Sequence, residues 1–388
     1  MSNSAEIHLP SIMQIGGGAI QQLPHILRTM ACERPCIITD KTMLELGFVA
    51  QIETVLKAQN IEVSVFDDVM PEPDDKSIVA GVERVKSTAF DCLIALGGGS
   101  AIDSAKAIAL LASYGGAMRD YKVPNIVSQQ SMPVVAIPTT AGTGSECTRV
   151  TIVSDSTSSE KMLCMGPGLM PKAAIVDYEL TLTAPFRVAA DTGIDALTHA
   201  IEAYVSKKAN LFSQQHAISA MKLIAPNLIP ACEQPNNVAA KEAVMLGATM
   251  AGIAFSNASV ALVHGMSRPI GVHFHVPHGM SNAMLLPAIT QFSLSGAPTQ
   301  YAECALHMGL VDNVVDIEAC HAQLFAFLSS LNRQLKVPPM SEFGILQTDY
   351  TQLIGTMAEQ AIASGSPGNN PRVPTTEEIK QLYTKVYT

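Results

Sequence analysis

The chain has 388 residues, of which 48% are hydrophobic and 15% are charged, and its formal net charge at pH 7 is −10. This length favours two domains over a single hydrophobic core. The acidic balance, without a long basic run, argues against nucleic acid or an anionic membrane as a partner. The stretch Ala243 to Val263 is uncharged, but Gly, Thr, Ser and Asn interrupt it, which favours buried helices over a membrane span.

The eight cysteines include no Cys-x-x-Cys pair, and Cys32 and Cys36 are the only close pair. This pattern indicates buried, reduced thiols and predicts a cytoplasmic protein. The first residues contain neither a basic segment nor an apolar core typical of a secretion signal.

Short β-rich runs alternate with helical stretches over roughly the first 180 residues. The predicted strands are 35–40, 61–69, 91–99, 132–140 and 173–177. This alternation predicts an α/β domain with a mostly parallel sheet. From about Pro185 onward the strand signals almost vanish, so we expect an all-helical second domain. The predicted domains are 1–184, an α/β dinucleotide-binding domain, and 185–388, an all-helical metal-binding domain.

Two glycine-containing loops follow predicted buried strands. Gly97, Gly98 and Gly99 precede a helix, an arrangement that lets backbone amides and a helix N-terminus approach a diphosphate. One such loop is weak evidence, because many strand-to-helix turns are rich in glycine. The second loop, 138–146, strengthens the prediction of a dinucleotide site. Its hydroxyl groups belong to Thr139, Thr140, Thr143 and Ser145.

An acidic residue, Asp40, ends the first predicted strand. A carboxylate there can accept hydrogen bonds from an adenosine ribose and would repel a 2′-phosphate, favouring NAD over NADP. In the ordinary Rossmann pattern the acid follows the glycine loop, whereas Asp40 precedes it. A plain helix cap is therefore the alternative role for Asp40.

Asp195 and His199 are four residues apart in a segment with helical periodicity, so both side chains lie on one helical face. His264 and His278 can join them only if the chain folds back, since a straight helix would separate the two by about 21 Å. Pro269 and Gly271, with Pro277 and Gly279, are expected to supply the breaks. One carboxylate and three imidazoles suit Fe(II) or Zn(II).

Taken together, these motifs resemble the iron-containing (group III) alcohol dehydrogenase family over nearly the whole chain. The matching segments are TDK (39–41), GGGSAIDSAK (97–106), PTTAGTGSE (138–146), the run 174–202, HGMSRPIGVHFHVPHG (264–279) and NNPR (369–372). The resemblance implies a dehydroquinate synthase-like fold: an α/β N-terminal dinucleotide-binding domain plus an all-α C-terminal domain, with the active site in a cleft.

The resemblance also implies roles for particular residues. The implied metal ligands are Asp195, His199, His264 and His278. The implied cofactor contacts are Asp40, Gly97, Gly98, Gly99, Ser100, Asp103, Thr139, Thr140, Thr143, Ser145 and, on a looser match, Lys161. A homodimer is expected from the same resemblance.

The chain departs from the family pattern four residues after His264. Many relatives have a second histidine there, near the nicotinamide, whereas this chain has Arg268. A guanidinium stays protonated and is a poor general base. Arg268 could pair with an acidic residue, contact the cofactor, or bind the anionic end of a substrate. His273 and His275 are extra imidazoles nearby. Both could be packed in the loop, or either could replace the missing histidine, with His275 the candidate proton relay.

The predicted activity is reversible hydride transfer between NAD(H) and a small alcohol/aldehyde pair, with a metal ion polarising the substrate oxygen. The first alternative is a hydroxyacid–oxoacid transhydrogenase that keeps its NAD bound. The second is a reductase of an acidic aldehyde (carboxylated, phosphono- or sulfo-) that uses Arg268. A lyase like dehydroquinate synthase and a non-catalytic sensor are weaker alternatives.

Overall fold

The computed structural model describes residues 4–158 and 160–387. The chain divides into two compact units, one formed by Ile7–Thr183 and the other by Ala184–Thr388 with the residues before Ile7. The boundary predicted from the sequence, between residues 184 and 185, lies one residue from this division.

The first unit is built on a six-stranded parallel sheet. Its strands, in chain order, are β1 (Ile12–Ile15), β2 (Pro35–Ile38), β3 (Ser64–Phe66), β4 (Cys92–Gly97), β5 (Val134–Pro138) and β8 (Ala173–Val176), with β6 (Val150–Ser154) and β7 (Lys161–Met165) forming a separate antiparallel pair. The spatial order in the sheet is β1-β8-β5-β4-β2-β3. All five adjacent pairs are parallel.

Helices cover both faces of this sheet, which is why its strands are apolar on both sides. They are α1 (Leu23–Thr29), α2 (Lys41–Glu45), α3 (Phe48–Lys57), α4 (Asp75–Ser87), α5 (Gly99–Tyr114) and α6 (Met118–Tyr121). Along β4, Leu93 and Ala95 belong to one hydrophobic core, whereas Ile94 and Leu96 belong to another. This alternation follows from the two-residue period of a strand.

The predicted fold class is confirmed, and each of the five predicted strands contains an observed strand. Strand β1 and the β6–β7 hairpin were not among the predicted strands. The hairpin strands are only half-buried, with inward and outward residues alternating, so they lack the continuous apolar run of the central strands.

The second unit is helical throughout its described residues. Its helices are α7 (Phe186–Val205), α8 (Leu211–Glu233), α9 (Val238–Ser256), α10 (Leu262–Phe274), α11 (His278–Ser293), α12 (Pro298–His307), α13 (Ile317–Gln334), α14 (Gln347–Ala363) and α15 (Thr376–Val386). By length and composition, α9 is the one described helix that could cross a membrane, but 61% of its apolar window is buried inside the unit. That burial is typical of a core helix.

The chain reversal between His264 and His278 occurs later than the sequence indicated. Pro269 and Gly271 were expected to break the helix, but α10 continues through both. The helix ends at His275, whose φ of 56° is left-handed, and α11 begins just after Pro277. A Cβ at Gly271 would lie 3.4 Å from the Val276 carbonyl oxygen, an ordinary van der Waals contact, so the returning chain does not require glycine at this position.

Replacement of two helical glycines of this unit by alanine is expected to change stability in opposite directions. A Cβ on Gly247 of α9 would lie 2.6 Å from Ile224 Cγ1, whereas Gly355 of α14 has open space around it. Gly247→Ala should lower the free energy of unfolding by roughly 1–3 kcal/mol through overpacking. Gly355→Ala should raise it by roughly 0.5–1 kcal/mol, because alanine loses less backbone entropy on folding. Denaturant unfolding of both variants checks this, and equal effects would contradict the packing argument.

Candidate metal centre and nucleotide-binding loops

Three helices of the second unit bring one carboxylate and three imidazoles together. Asp195 and His199 lie one turn apart on α7, His264 lies in the first turn of α10, and His278 is the first residue of α11. From Asp195 Oδ1 the distances are 3.3 Å to His264 Nε2, 3.9 Å to His278 Nε2 and 4.0 Å to His199 Nε2. All four predicted metal-binding residues therefore converge on one point.

Close backbone packing lets α11 deliver His278 to this point. A Cβ on Gly279 would lie 2.4 Å from the Asp191 carbonyl oxygen of α7, so only glycine permits this approach. The packing places the first turn of α11 beside the turn of α7 that carries Asp195. His278 itself remains the most open of the four, with 47% of its side chain exposed.

The inner residues of this cluster are buried, and their charges influence one another's pKa values. Asp195, His199 and His264 are all at least 95% buried. Burial alone would raise the pKa of Asp195, but the three imidazoles outweigh it and hold that pKa below its ordinary value. Burial alone would lower the pKa of His264, but the Glu202 and Asp195 carboxylates raise it to about 9. The cluster therefore favours a positive charge at its centre.

Aromatic stacking fixes the planes of two of these rings. His199 stacks on Phe255 of α9 with 4.2 Å between the ring centroids, and on His264 with 4.4 Å, both at an interplanar angle of 19°. The imidazole of His199 is thus held between two parallel rings. Its orientation toward Asp195 is set by packing before any ion binds.

Two further residues of the cluster were missed by sequence reasoning. Glu202, on α7, accepts a 2.6 Å hydrogen bond involving His264 Nδ1. Asn282, on α11, donates through Nδ2 to Asp195 Oδ1 at 2.6 Å and lies 3.2 Å from His264 Nε2. Helical spacing could have found both: Glu202 is seven residues after Asp195, and Asn282 is four after His278. The buried Asn282 Oδ1 has no hydrogen-bond partner.

In the first unit, the predicted nucleotide-binding residues lie at the carboxyl ends of three adjacent strands. Asp40 follows β2, the glycine loop follows β4, and the loop from Thr139 follows β5. In open parallel sheets, ligands bind at this edge. The two loops are also packed against each other: a Cβ on Gly99 would lie 2.8 Å from Thr143 Cγ2, and one on Gly98 would lie 3.5 Å from Thr140.

Asp40 is a helix cap, and its second carboxylate oxygen lies near the glycine loop; a contact of that oxygen with a ribose stays a prediction. Its Oδ1 caps α2 by accepting from the Met43 amide at 3.1 Å. Its Oδ2 lies 3.7 Å from where a Cβ would stand on Gly97, whose φ is +146°. Because β2 and β4 are adjacent parallel strands, Asp40 lies beside the glycine loop although it is far upstream in sequence. One carboxylate oxygen caps the helix, and the other faces the loop.

Asp103 and Ser145 bind each other rather than lying free. Ser145 Oγ donates to Asp103 Oδ1 at 2.6 Å, and the Ile152 amide donates to Asp103 Oδ2 at 3.0 Å. Lys106 lies one turn farther along α5, and its buried ammonium donates to the carbonyl oxygens of Ser145 (2.7 Å) and Val150 (2.8 Å), among others. Burial lowers the pKa of Lys106 to about 8. These contacts fix the shape of the loop after β5.

Three other predicted cofactor residues have protein partners in this structure. Ser100 donates its hydroxyl to the Pro71 carbonyl oxygen. Lys161, at the start of β7, forms an ion pair with Glu72 at 2.7 Å. Thr139 is buried, and its hydroxyl lies 3.5 Å from Met43 Sδ. Nucleotide contacts by these three side chains stay predictions.

Arg268 is partly buried on α10, one turn beyond His264. Its Nη1 donates to Ser366 Oγ at 3.1 Å, and its buried Nε has no hydrogen-bond partner. Among the described residues, none of the ion pairs within 4.0 Å includes Arg268. Burial lowers the pKa of Arg268, and the Glu202 carboxylate partly opposes that change. The acidic partner considered in the sequence analysis is thus not a direct contact.

The remaining histidines of the loop lie differently from one another. His275 is exposed at the end of α10. His273 Nε2 lies 2.9 Å from Gln360 Oε1 of α14, which matches the packed role considered for it. A proton-relay role for His275 stays a prediction.

A parallel-sheet unit with two nucleotide-type loops, and a helical unit with a carboxylate–histidine metal cluster, define a metal-dependent dehydrogenase. The family model described as iron-containing alcohol dehydrogenase matches residues 10–178, and that of the C-terminal part of the Fe-containing alcohol dehydrogenase family matches residues 189–387. The chain belongs to the iron-containing alcohol dehydrogenase family. The resemblance and the predicted activity class, an alcohol or aldehyde oxidoreductase, are confirmed.

Individual relatives are similar over their full lengths. The NAD-dependent methanol dehydrogenase of Bacillus methanolicus is 34% identical over 375 residues, covering 96% of this chain and 97% of that protein. A crystal structure of 1,3-propanediol oxidoreductase superposes with a TM-score of 0.94 at 30% identity, covering 99% of this chain and 100% of the other. The sulfoacetaldehyde reductase of Bifidobacterium kashiwanohense, solved in complex with NAD+, superposes with a TM-score of 0.89 at 25% identity, covering 100% of both chains.

The convergence of four donor side chains predicts that each histidine is needed for metal retention. His264→Ala or His278→Ala should remove most bound metal and most activity, because each change deletes one of the four ligands for which the site is built. Metal content measured by mass spectrometry after gel filtration is the test. His321→Ala, which removes a partly exposed imidazole from α13, away from the four ligands, is the control and should retain metal. Full metal occupancy in either cluster variant would show that the site is misassigned.

Proposed function

We propose that this protein is an NAD-dependent, metal-containing alcohol dehydrogenase or aldehyde reductase that acts on a small substrate. The observation that carries the proposal is the convergence of Asp195, His199, His264 and His278 on one point in the helical unit. Three imidazoles and a carboxylate are a donor set that fits Fe(II) or Zn(II). Between these two ions, availability in the cell decides, because Zn(II) has the higher intrinsic affinity.

In this proposal the helical unit binds the metal ion and the α/β unit binds the cofactor. Asp195, His199, His264 and His278 would hold the ion, which, when bound, supplies Lewis-acid polarisation of the substrate oxygen, while NAD(H) supplies or accepts the hydride. The exposed face of His278 is the side from which a substrate could reach the cluster. Asn282 holds the Asp195 carboxylate in place through its 2.6 Å hydrogen bond. The glycine loop and the loop from Thr139 would bind the cofactor diphosphate.

NAD is favoured over NADP by the free side of Asp40. Its Oδ2 lies next to the glycine loop, where an adenosine ribose is expected, and its charge would repel a 2′-phosphate. The NAD+ complex of the similar sulfoacetaldehyde reductase and the name of the NAD-dependent methanol dehydrogenase support the same choice.

Cofactor-dependent reduction of an aldehyde tests the function and the Asp40 assignment together. The metal-reconstituted wild type should oxidise free NADH with a short aldehyde and prefer NADH to NADPH. Asp40→Asn keeps a side chain that can cap α2 but removes the charge. It should shift the kcat/KM ratio toward NADPH by at least about tenfold, since like charges placed together cost several kcal/mol.

The outcomes of this assay separate the alternatives. A wild type that prefers NADPH would rule out the role of Asp40. Turnover that needs a second carbonyl substrate, without net use of free NADH, would identify a transhydrogenase. Metal-loaded protein without any NAD(H)-linked turnover across an aldehyde panel would overturn the proposed function.

A narrower substrate class, aldehydes with an anionic end, is favoured by Arg268. A guanidinium without a direct acidic partner is costly to bury, so a ligand charge is the natural complement. Glu202, the carboxylate that influences its pKa, is already engaged by His264 and backbone amides. The similar sulfoacetaldehyde reductase is named for an anionic aldehyde.

Arg268→Ala should therefore discriminate between substrates of equal length. It should raise KM for a carboxylated or sulfonated aldehyde by one to two orders of magnitude, about the 1.5–3 kcal/mol of a charged hydrogen bond. A neutral aldehyde should be nearly unaffected. Arg333→Ala, at an exposed position of α13, is the control and should change neither KM. Equal losses for both substrates would assign Arg268 to structure or to the cofactor and exclude the acidic-substrate role.

We also propose that the protein is cytoplasmic and forms a homodimer. All eight cysteines are unpaired, and seven of them are buried, as expected of a protein kept in a reducing compartment. The homodimer is a prediction from the family resemblance. We expect no nucleic acid or membrane partner, on the basis of the acidic composition.

A further inference from the structure

The Glu202 carboxylate receives three hydrogen bonds at the junction of α7 and α10. Its Oε1 accepts from the Val263 amide at 2.6 Å, and its Oε2 accepts from the Ala261 amide at 2.8 Å. The same Oε2 lies 2.6 Å from His264 Nδ1. Glu202 is only 4% exposed, so these contacts replace water around its charge. One side chain of α7 thus fixes both the start of α10 and the ring of His264.

This arrangement determines which nitrogen of His264 carries the proton. A carboxylate can only accept hydrogen bonds, so the 2.6 Å contact requires the proton on Nδ1. The lone pair of the neutral ring then lies on Nε2, which faces Asp195 at 3.3 Å. Two backbone amides hold the carboxylate in position, so the ring cannot rotate without losing its partner. His264 is therefore preset, in tautomer and in direction, to donate its lone pair to a cation.

We propose that Glu202 is a positioning residue that sets the tautomer and orientation of His264 and thereby controls the affinity of the site for its metal. This inference rests on the proposed metal-binding function and adds a residue outside the four ligands. Carboxylates that accept from a ligating histidine typically contribute 10–100-fold to metal affinity. Arg268, on the same helix, also lies in the electrostatic field of Glu202.

The test compares Zn(II) affinity in Glu202→Gln and in a matched control. Glutamine has nearly the same volume, but its amide nitrogen cannot accept from Nδ1 or from a backbone amide. Glu303→Gln is the control: Glu303 lies on α12 of the same unit and accepts from Tyr204 at 2.7 Å. Dissociation constants for Zn(II) are measured on metal-free proteins by chelator competition. Thermal unfolding of the metal-free proteins shows how much each change affects the fold itself.

We expect Glu202→Gln to weaken Zn(II) binding by about 10–100-fold and Glu303→Gln to leave it within about twofold. A folded Glu202→Gln protein that binds Zn(II) like the wild type would overturn the proposal, whatever its melting temperature. A wild type that itself fails to bind Zn(II), Fe(II) or Co(II) would instead overturn the proposed function, and the role of Glu202 with it.

A second measurement needs no variant and decides the case in which Glu202→Gln does not fold. In metal-free wild type with ¹⁵N-labelled histidine, at a pH at which the ring is neutral, NMR identifies which nitrogen of His264 carries the proton. His264 should carry an exchange-protected proton on Nδ1. A proton on Nε2 of His264 would overturn the proposal.

Discussion

The main constraint in the helical unit is the close approach of several electron-pair donors at one point. Nε2 of His264 and Oδ1 of Asp195 face each other at 3.3 Å, and the Nε2 atoms of His278 and His199 lie within 4.0 Å of the same oxygen. Asn282 Nδ2 donates to Asp195 Oδ1 at 2.6 Å and lies within 3.3 Å of the Nε2 atoms of His264 and His278, so it partly offsets the repulsion between these electron pairs. A divalent ion would contact all four donor side chains at once, which an amide group cannot do. The donor set of the cluster therefore fits a metal ion.

Close packing of the backbone around the cluster also restricts where its side chains can lie. A Cβ at Gly279 would collide with the Asp191 carbonyl oxygen, and one at Gly265 would lie 2.7 Å from Pro367. Phe255 stacks on His199 from the side away from His264. These contacts hold the side chains before binding, so little conformational entropy is lost when an ion enters. Holding the donor atoms together lowers the free energy of unfolding of the metal-free protein. The binding of an ion recovers that free energy as affinity.

The sequence predicted the parts of this site that obey a local period. Asp195 and His199 are a turn apart on any helix, and the loop at Gly97–Gly99 follows an apolar run that forms a strand in most contexts. The location of the chain reversal was wrong, because Pro269 is tolerated inside α10 while a left-handed residue, His275, ends it. Sequence alone does not reveal which residue takes a left-handed conformation when no glycine is available. The tertiary contacts decide it.

Glu202 and Asn282 were missed for a different reason. Each lies at a helical spacing from a ligand, but many polar residues do so without contacting anything. Glu202 and Asn282 contact the ligands because α10 and α11 pack against α7. This packing is a long-range property, and helical spacing alone does not predict it. The hairpin of β6 and β7 was missed similarly, since its half-buried strands are fixed by Asp103 of α5 through the Ile152 amide. In both cases the partner is remote in sequence.

Arg268 and the metal cluster are linked through the charge of Glu202. That carboxylate is satisfied by His264 and two amides, so its field reaches Arg268 without forming an ion pair with it. The guanidinium is stabilised enough to stay charged but retains donors such as Nε that nothing in the described protein fills. The proposed preference for an anionic substrate depends on this arrangement, because an anionic group would compensate a charge that a neutral substrate leaves without a direct acidic partner.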